Sequence, residues 1–256
     1  MKTLRHLGPF LSVFAALLLT LEILVRSGAL PDSLFPSPSQ ILAAFWESPD
    51  EWRLASFETG QHALQGLALS FFVGGAVSLL LSLSLFLKRA FLPLSLFFQT
   101  VPIIAIAPLL VIYFGFGAPT VVASATLVSF FPVMASFLLG LETVEREKLE
   151  LFQLYGASRW QTLMKLRLPN AFLALYSGLK VAVGLSLVGA VAGEFVAGSG
   201  LGALIDASRT AQRVDRVFVA LFLLALMGLL FLSSLRGIFS VAQKIRPFGR
   251  DSQEWS

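Results

Sequence analysis

The chain is predicted to be an all-α polytopic membrane protein with six transmembrane helices and both termini cytoplasmic. Three observations lead there. The sequence is 56% hydrophobic and 13% charged, whereas soluble domains carry about 25% charged residues. Six apolar runs are long enough to cross a bilayer, which takes about 20 helical residues. The basic residues fall mainly on one side of those runs. With 256 residues and no long polar region, one membrane domain spanning 1–256 is expected, with its core at about 60–240.

The first run is Leu7–Val25, preceded by Lys2, Arg5 and His6. It reads as either a cleaved leader or a retained anchor. Its length exceeds the 7–15 residues of a typical leader core, which favours the anchor. Arg26–Gln61 follows as an outer loop. Within it, Ser37-Pro38 has the signature of a helix cap followed by proline in the first turn. Ile41, Leu42, Phe45 and Trp46 then share one helical face. That helix either lies on the outer membrane surface or packs on its own protein.

Spans two to four are Ala63–Leu87, Phe91–Phe114 and Ala118–Leu141, with a tight outer turn at Gly115–Pro119. A polar cytoplasmic loop, 142–169, comes next. The fifth span lies within Ala171–Ala197 and the sixth is Val217–Leu235. Lys180 sets the register of the fifth: a helix starting at Phe172 would bury its ammonium about 12 Å deep at 1.5 Å per residue. A start near Ser177 is therefore expected. It places Lys180 at the inner headgroups and Glu194 inside the outer half.

Orientation follows from the positive-inside rule. With the N-terminus inside, the inner face holds Lys2, Arg5, Lys88, Arg89, Arg146, Lys148, Arg159, Lys165, Arg167, Arg236, Lys244, Arg246 and Arg250. The outer face holds only Arg26, Arg53, Arg209, Arg213 and Arg216. This distribution reads the net charge of +4 as membrane topology and not as nucleic-acid binding.

The polar loop is the most informative stretch. Thr143–Tyr155 is helix-compatible, and Gly156 interrupts it because glycine supplies the positive φ that ends a helix. Ser158 can cap a second helix, in which Trp160, Leu163, Met164 and Arg167 recur at helical spacing. Pro169 is expected to stop that helix. The outcome is two short helices at an angle, with apolar side chains set among charges. Such an element either seats in a groove on a partner or lies on the headgroups.

The spacing Glu150, Gly156, Leu166, Leu168, Pro169 resembles the EAA loop of ABC importer permeases. Leu151 and Phe152 stand where that loop carries alanines. Gln99-Thr-Val-Pro-Ile-Ile-Ala-Ile-Ala-Pro-Leu109, Tyr113–Gly117, Pro36–Ser39, Gly178–Lys180, Gly193–Phe195 and Gly200–Gly202 resemble the nitrate/sulfonate/taurine branch of these permeases. That branch also contains thiamine-precursor and riboflavin systems, and the Gln99 run leans toward the vitamin-precursor group. The resemblance covers residues from about 31 to 240. It implies a permease pathway through the membrane and a second permease subunit, as a homodimer or a pair of permeases. It further implies two cytoplasmic ATPase subunits carrying ATP and Mg, and an extracytoplasmic substrate-binding protein. It assigns coupling to Glu150, Gly156, Ala157, Ser158, Leu166, Leu168 and Pro169.

Pathway candidates are the polar or helix-breaking positions inside spans. Pro102 and Pro108 free carbonyls, either at a cavity or at a plain kink. Gln99, Thr100, Thr126, Ser129 and Ser186 either line a path or hydrogen-bond between helices. Glu194, an intramembrane carboxylate, is either functional or paired with Arg209 or Arg213. Gly184, Gly189 and Gly193 form small-residue steps, at a dimer seam or within the chain. No P-loop, HExxH or Ser/His/Asp arrangement is present, and Gly198–Gly202 follows no strand. The chain has no cysteine, and its two histidines suggest no metal site. No cofactor is therefore expected on this chain. The readings that remain are an importer permease, an ATP-independent six-span channel or facilitator, and a membrane enzyme. The last would need clustered catalytic groups, which the sequence does not show.

Overall fold

A computed structural model describes residues 2–32 and 34–245, and those residues contain helices and turns but no strand. Among the described residues, four helical segments are long and apolar enough to cross a membrane: Pro49–Leu83, Ala118–Glu142, Arg159–Ala197 and Val214–Lys244. Their surfaces carry exposed Phe72, Leu83, Phe222 and Leu229. Exposed apolar side chains on this scale suit a hydrocarbon surround.

The first run forms α1, Lys2–Arg26. Glu22 near its end accepts from the backbone N–H and the hydroxyl of Ser39, at 3.0 and 2.7 Å. Ser39 belongs to α2, Pro38–Glu47, which starts as expected. Ser37 caps Gln40, the Gln40 side chain accepts from the Ser37 N–H, and proline occupies the first turn. Ala44 is fully buried and Ile41 and Phe45 pack on the same cluster, while Leu42 and Trp46 face outward. The inner face of α2 therefore rests on its own protein, and the four apolar residues expected on one face divide between two.

α3 runs Pro49–Leu83, so the outer loop expected to reach Gln61 is helical from Pro49 onward. Proline at the first turn and Asp50 and Glu51 beside it suit a helix start. The third span is also corrected. It is two helices, α4 (Leu85–Thr100) and α5 (Ile103–Phe114). Pro102 has no N–H to donate and forces Val101 into an extended conformation, φ −76°, ψ 122°. Pro108 stays inside α5. At 1.5 Å per residue the pieces measure about 24 and 18 Å, each short of a bilayer core of about 30 Å.

α6 (Ala118–Glu142) and α9 (Leu168–Ala197) form the central seam, with α3 against both. Four glycines make the approach close. A Cβ at Gly140 would sit 2.6 Å from the Ala171 Cα, and one at Gly189 would sit 2.7 Å from the Ser124 carbonyl. Gly178 and Gly193 face Ser136 and Ser124 in the same way. Gly189 and Gly193 therefore serve packing within the chain, whereas a Cβ at Gly184 would meet nothing within 4 Å.

Pro169 does not stop the second loop helix. α8 (Arg159–Thr162) passes through a π-helical turn, Leu163–Arg167, directly into α9. The Leu168 N–H donates to the Leu163 carbonyl, five residues back. Proline then enters in the first turn of α9, where the shifted pattern asks no donor of it. The fifth span has no boundary at Ser177 for the same reason. Lys180 instead lies over the Tyr176 ring, 4.7 Å from its centroid, one turn toward the amino end of α9.

α10 (Gly200–Thr210) precedes the last helix, α11 (Val214–Ile245). Ions tie this end of the bundle together. Arg213 pairs with Glu47 and Asp215, each at 2.8 Å. Arg216 pairs with Glu51 and lies over the Trp52 ring. At the opposite end Lys88 pairs with Glu142. Arg246 and Arg250, counted on the inner face, lie outside the described residues.

Candidate functional site

Three constructions carry the polar chemistry. The first is the loop after α6. α7 (Arg146–Leu154) ends in a Schellman turn: the Gly156 N–H donates to the Gln153 carbonyl and the Ala157 N–H to Phe152, both at 2.9 Å. Gly156 has φ +66°, as its position required. Ser158 then caps α8, accepting from the Gln161 N–H at 3.2 Å, while the Gln161 side chain accepts from the Ser158 N–H at 2.8 Å. Leu163 is buried with Phe137, Leu141 and Ala171, which anchors the loop to α6 and α9. The Asn170 amide donates to the Gly140 carbonyl at 2.9 Å. Leu154 and Tyr155 are each 84% exposed and Trp160 is 67% exposed. Glu150 and Ser158 are exposed, and Ala157, Leu166, Leu168 and Pro169 are half-buried. The loop is thus rigidly rooted and presents an apolar, charge-flanked tip.

The second is a buried cluster at the start of α10. Glu194 is wholly buried, but Arg209 and Arg213 are not its partners: those pair with Asp206 and with Glu47 and Asp215. Its Oε2 accepts from the Thr59 hydroxyl and the Gly202 N–H, both at 2.9 Å. Thr59 in turn accepts from the Leu201 N–H at 2.8 Å, and Glu58 accepts from the Gly200 N–H at 3.1 Å. His62 Nδ1 lies 3.7 Å from the second Glu194 oxygen. Three orphan N–H groups of one helix end are therefore capped by side chains of α3 and α9. Gly200, at φ +62°, admits this because a Cβ there would strike the Glu194 carboxylate and the Thr59 hydroxyl. Glu58, Thr59 and His62 were not candidates in the sequence: Thr59 and Glu194 lie 135 positions apart, and no spacing links them.

The third is a cavity of about 410 Å³ where α4 breaks into α5, closed by α6 and α9. Gln99, Thr100 and Pro102 line it. The remaining pathway candidates lie elsewhere. The Ser129 hydroxyl is buried against Ser70 at 2.6 Å, between α3 and α6. The Ser186 hydroxyl donates to the Val183 carbonyl of its own helix at 2.9 Å. Thr126 likewise bonds back to Val122. Pro108 is exposed on α5.

Residues 66–244 match the model of the family described as binding-protein-dependent transport system inner membrane component. The chain belongs to this family. It is 34% identical over 227 residues to a probable ABC transporter permease protein of Haemophilus influenzae, covering 88% of this chain and 92% of that one. It is 33% identical over 209 residues to the riboflavin transport system permease protein RibX of Chloroflexus aurantiacus, covering 78% and 75%. It is 32% identical over 242 residues to the formylaminopyrimidine transport permease protein ThiX of Halalkalibacterium halodurans, covering 94% and 96%. The chain is accordingly a permease subunit of an ABC importer for a small solute, a multi-pass inner-membrane protein and not the ATPase of its system. The partners of Glu194 and the complete break at Pro102 are what the sequence of this permease did not announce.

Proposed function

We propose that this permease crosses the membrane six times with both termini cytoplasmic, pairs with a second copy of itself, and couples through residues 142–169 to two ATPase subunits. ATP and Mg reside on those subunits. An extracytoplasmic binding protein delivers a small polar or vitamin-precursor solute of the kind named for the riboflavin and formylaminopyrimidine relatives. The chain acts as one permease domain over 1–256, its core at about 60–240. Closure of the ATPases pushes α7 and α8, and the unbroken helix from Arg159 to Ala197 carries that push to the outer end. Glu150, Gly156, Ala157 and Ser158 shape the pushed tip. Leu166, Leu168 and Pro169 join it to the span.

The observation that carries this reading is the loop itself. Leu154, Tyr155 and Trp160 project from a Schellman turn and a capping box whose bases are locked into α6 and α9. A rigid root with an exposed apolar tip transmits displacement, whereas a loose loop would absorb it. The test is uptake into proteoliposomes holding the permease with its ATPase subunits and binding protein. Uptake requires ATP hydrolysis on this reading. Uptake that persists without ATP and without the ATPase subunits would instead establish a facilitator.

A further inference from the structure

The cavity at the α4–α5 break is bounded by Phe91, Gln99, Pro102, Phe130, Phe131 and Leu185, among others. Among the described residues, no Asp, Glu, Lys, Arg or His reaches its wall. Three phenylalanine rings from α4 and α6 supply flat apolar surface, and polar contact comes from few groups. The Ser95 hydroxyl is already committed to the Leu92 carbonyl at 2.8 Å. Gln99 is exposed and offers both an amide donor and an acceptor. The break adds backbone: Val101 is extended and Pro102 carries no N–H, so the helical ladder stops there. At the start of α5 the Ala105 N–H donates to the Pro102 carbonyl at 3.0 Å, which leaves the Ile103 and Ile104 N–H groups unused by their own helix.

We infer that this cavity is the permease's own substrate site, and that it takes a flat, uncharged heteroaromatic ring whose polar edge meets the Gln99 amide and the backbone freed at Pro102. The volume suits it, since small-molecule sites span roughly 300–1,000 Å³. The charge pattern selects it. A sulfonate is ionised at every physiological pH, and desolvating an anion without a counter-charge is prohibitive. The amino end of α5 supplies only about half a charge. A ring with nitrogen and carbonyl groups along one edge needs no counter-ion. It stacks on phenylalanine and exchanges hydrogen bonds with one amide and a few backbone groups. The inference rests on the permease reading and adds the site and the ligand chemistry to it.

The experiment measures equilibrium binding of radiolabelled probes to the full-length permease in nanodiscs, without binding protein. Riboflavin and formylaminopyrimidine are the ring probes, and taurine is the compact charged probe. At least one ring probe is expected to bind saturably, and taurine is expected neither to bind nor to displace it. Q99L, which keeps bulk and removes the amide, should weaken ring binding by about ten-fold. F131L, which keeps apolar volume and removes the ring face, should weaken it by a similar factor. S233A, on the outer face of α11, should leave it unchanged. Absence of saturable ring binding, displacement by taurine, or ring binding that Q99L and F131L leave within two-fold of wild type would each overturn the inference. Co-purification with the ATPase subunits is scored separately. A permease that holds its ATPases yet binds no ring loses only this inference, and one that binds the ring yet never holds an ATPase loses the coupling reading instead.

Discussion

Replacing Thr59 by valine tests the buried cap on α10. The substitution keeps the side chain's shape and removes one hydroxyl. In the wild-type protein that hydroxyl accepts from the Leu201 N–H at 2.8 Å and donates to Glu194 at 2.9 Å. Thr59, Glu194 and Leu201 are all fully buried, so water cannot substitute without opening the site. An orphaned buried N–H costs about 1–3 kcal/mol. An interhelical hydrogen bond in a membrane protein contributes about 0.6 kcal/mol on average. Together they place the loss at about 2 kcal/mol, which is about a thirty-fold change in an opening equilibrium. Hydrogen exchange of the amides of Leu201, Gly202 and Ala203 reads that opening directly. Thr59→Val should accelerate their exchange about thirty-fold and leave the α6–α9 seam unaffected. Thr59→Ser, which restores the hydroxyl, should return exchange close to wild type. Ser199→Ala is the second control: the Ser199 hydroxyl is buried without a hydrogen-bond partner, so its removal should cost nothing. Exchange in Thr59→Val within two-fold of wild type would refute the cap as the element that holds α10.

Three further outcomes are expected. Gly156→Val should lower ATPase co-purification and uptake without loss of inserted protein, because a Cβ there meets nothing yet φ +66° costs an L-residue about 1–2 kcal/mol, more if β-branched. Gly156→Asn, which tolerates that φ, should retain both; equal behaviour of the two variants would remove the turn from the coupling argument. Gly189→Leu should cut the yield of monodisperse permease severely, since its Cβ would lie 2.7 Å from the Ser124 carbonyl and 2.8 Å from the Ala125 Cα, while Gly184→Leu should be tolerated. Size-exclusion profiles of the two variants decide it, and matching yields would contradict the seam. Cysteines at Asp50 and Arg209 should label with an impermeant reagent added outside cells and cysteines at Lys88 and Arg159 should not; outside labelling of Arg159→Cys would reverse the proposed topology.

Local rules made much of this permease legible. Apolar runs marked the helices, because any backbone in hydrocarbon must satisfy its own hydrogen bonds. The Ser37-Pro38 start, the Ser158 cap and the positive φ at Gly156 were readable because each depends on residues within four positions. Where the reading went astray, neighbouring geometry had intervened. Pro102 broke a span, which follows from chemistry, but the sequence pattern did not distinguish a break from a bend. Pro169 broke nothing, because a π turn one step earlier had already shifted the hydrogen-bond pattern around it. Identical chemistry thus had opposite results in two helices.

The arrangement of α10 shows why tertiary structure was needed for the rest. Glu194 stood out in the sequence as an intramembrane carboxylate, and charge alone suggested an arginine nearby. Its partners are instead a threonine hydroxyl and a backbone N–H. Thr59 comes from α3, 135 positions away, and is as ordinary in sequence as any other threonine. Class, membrane insertion and the loop turn arise from composition and from contacts a few residues apart, so one strand of text carries them. Which groups meet at the α10 start, and which wall closes the cavity at Pro102, depends on how α3, α6 and α9 pack. That packing is set by shape complementarity at glycine seams between residues far apart in the chain, and no local pattern encodes it.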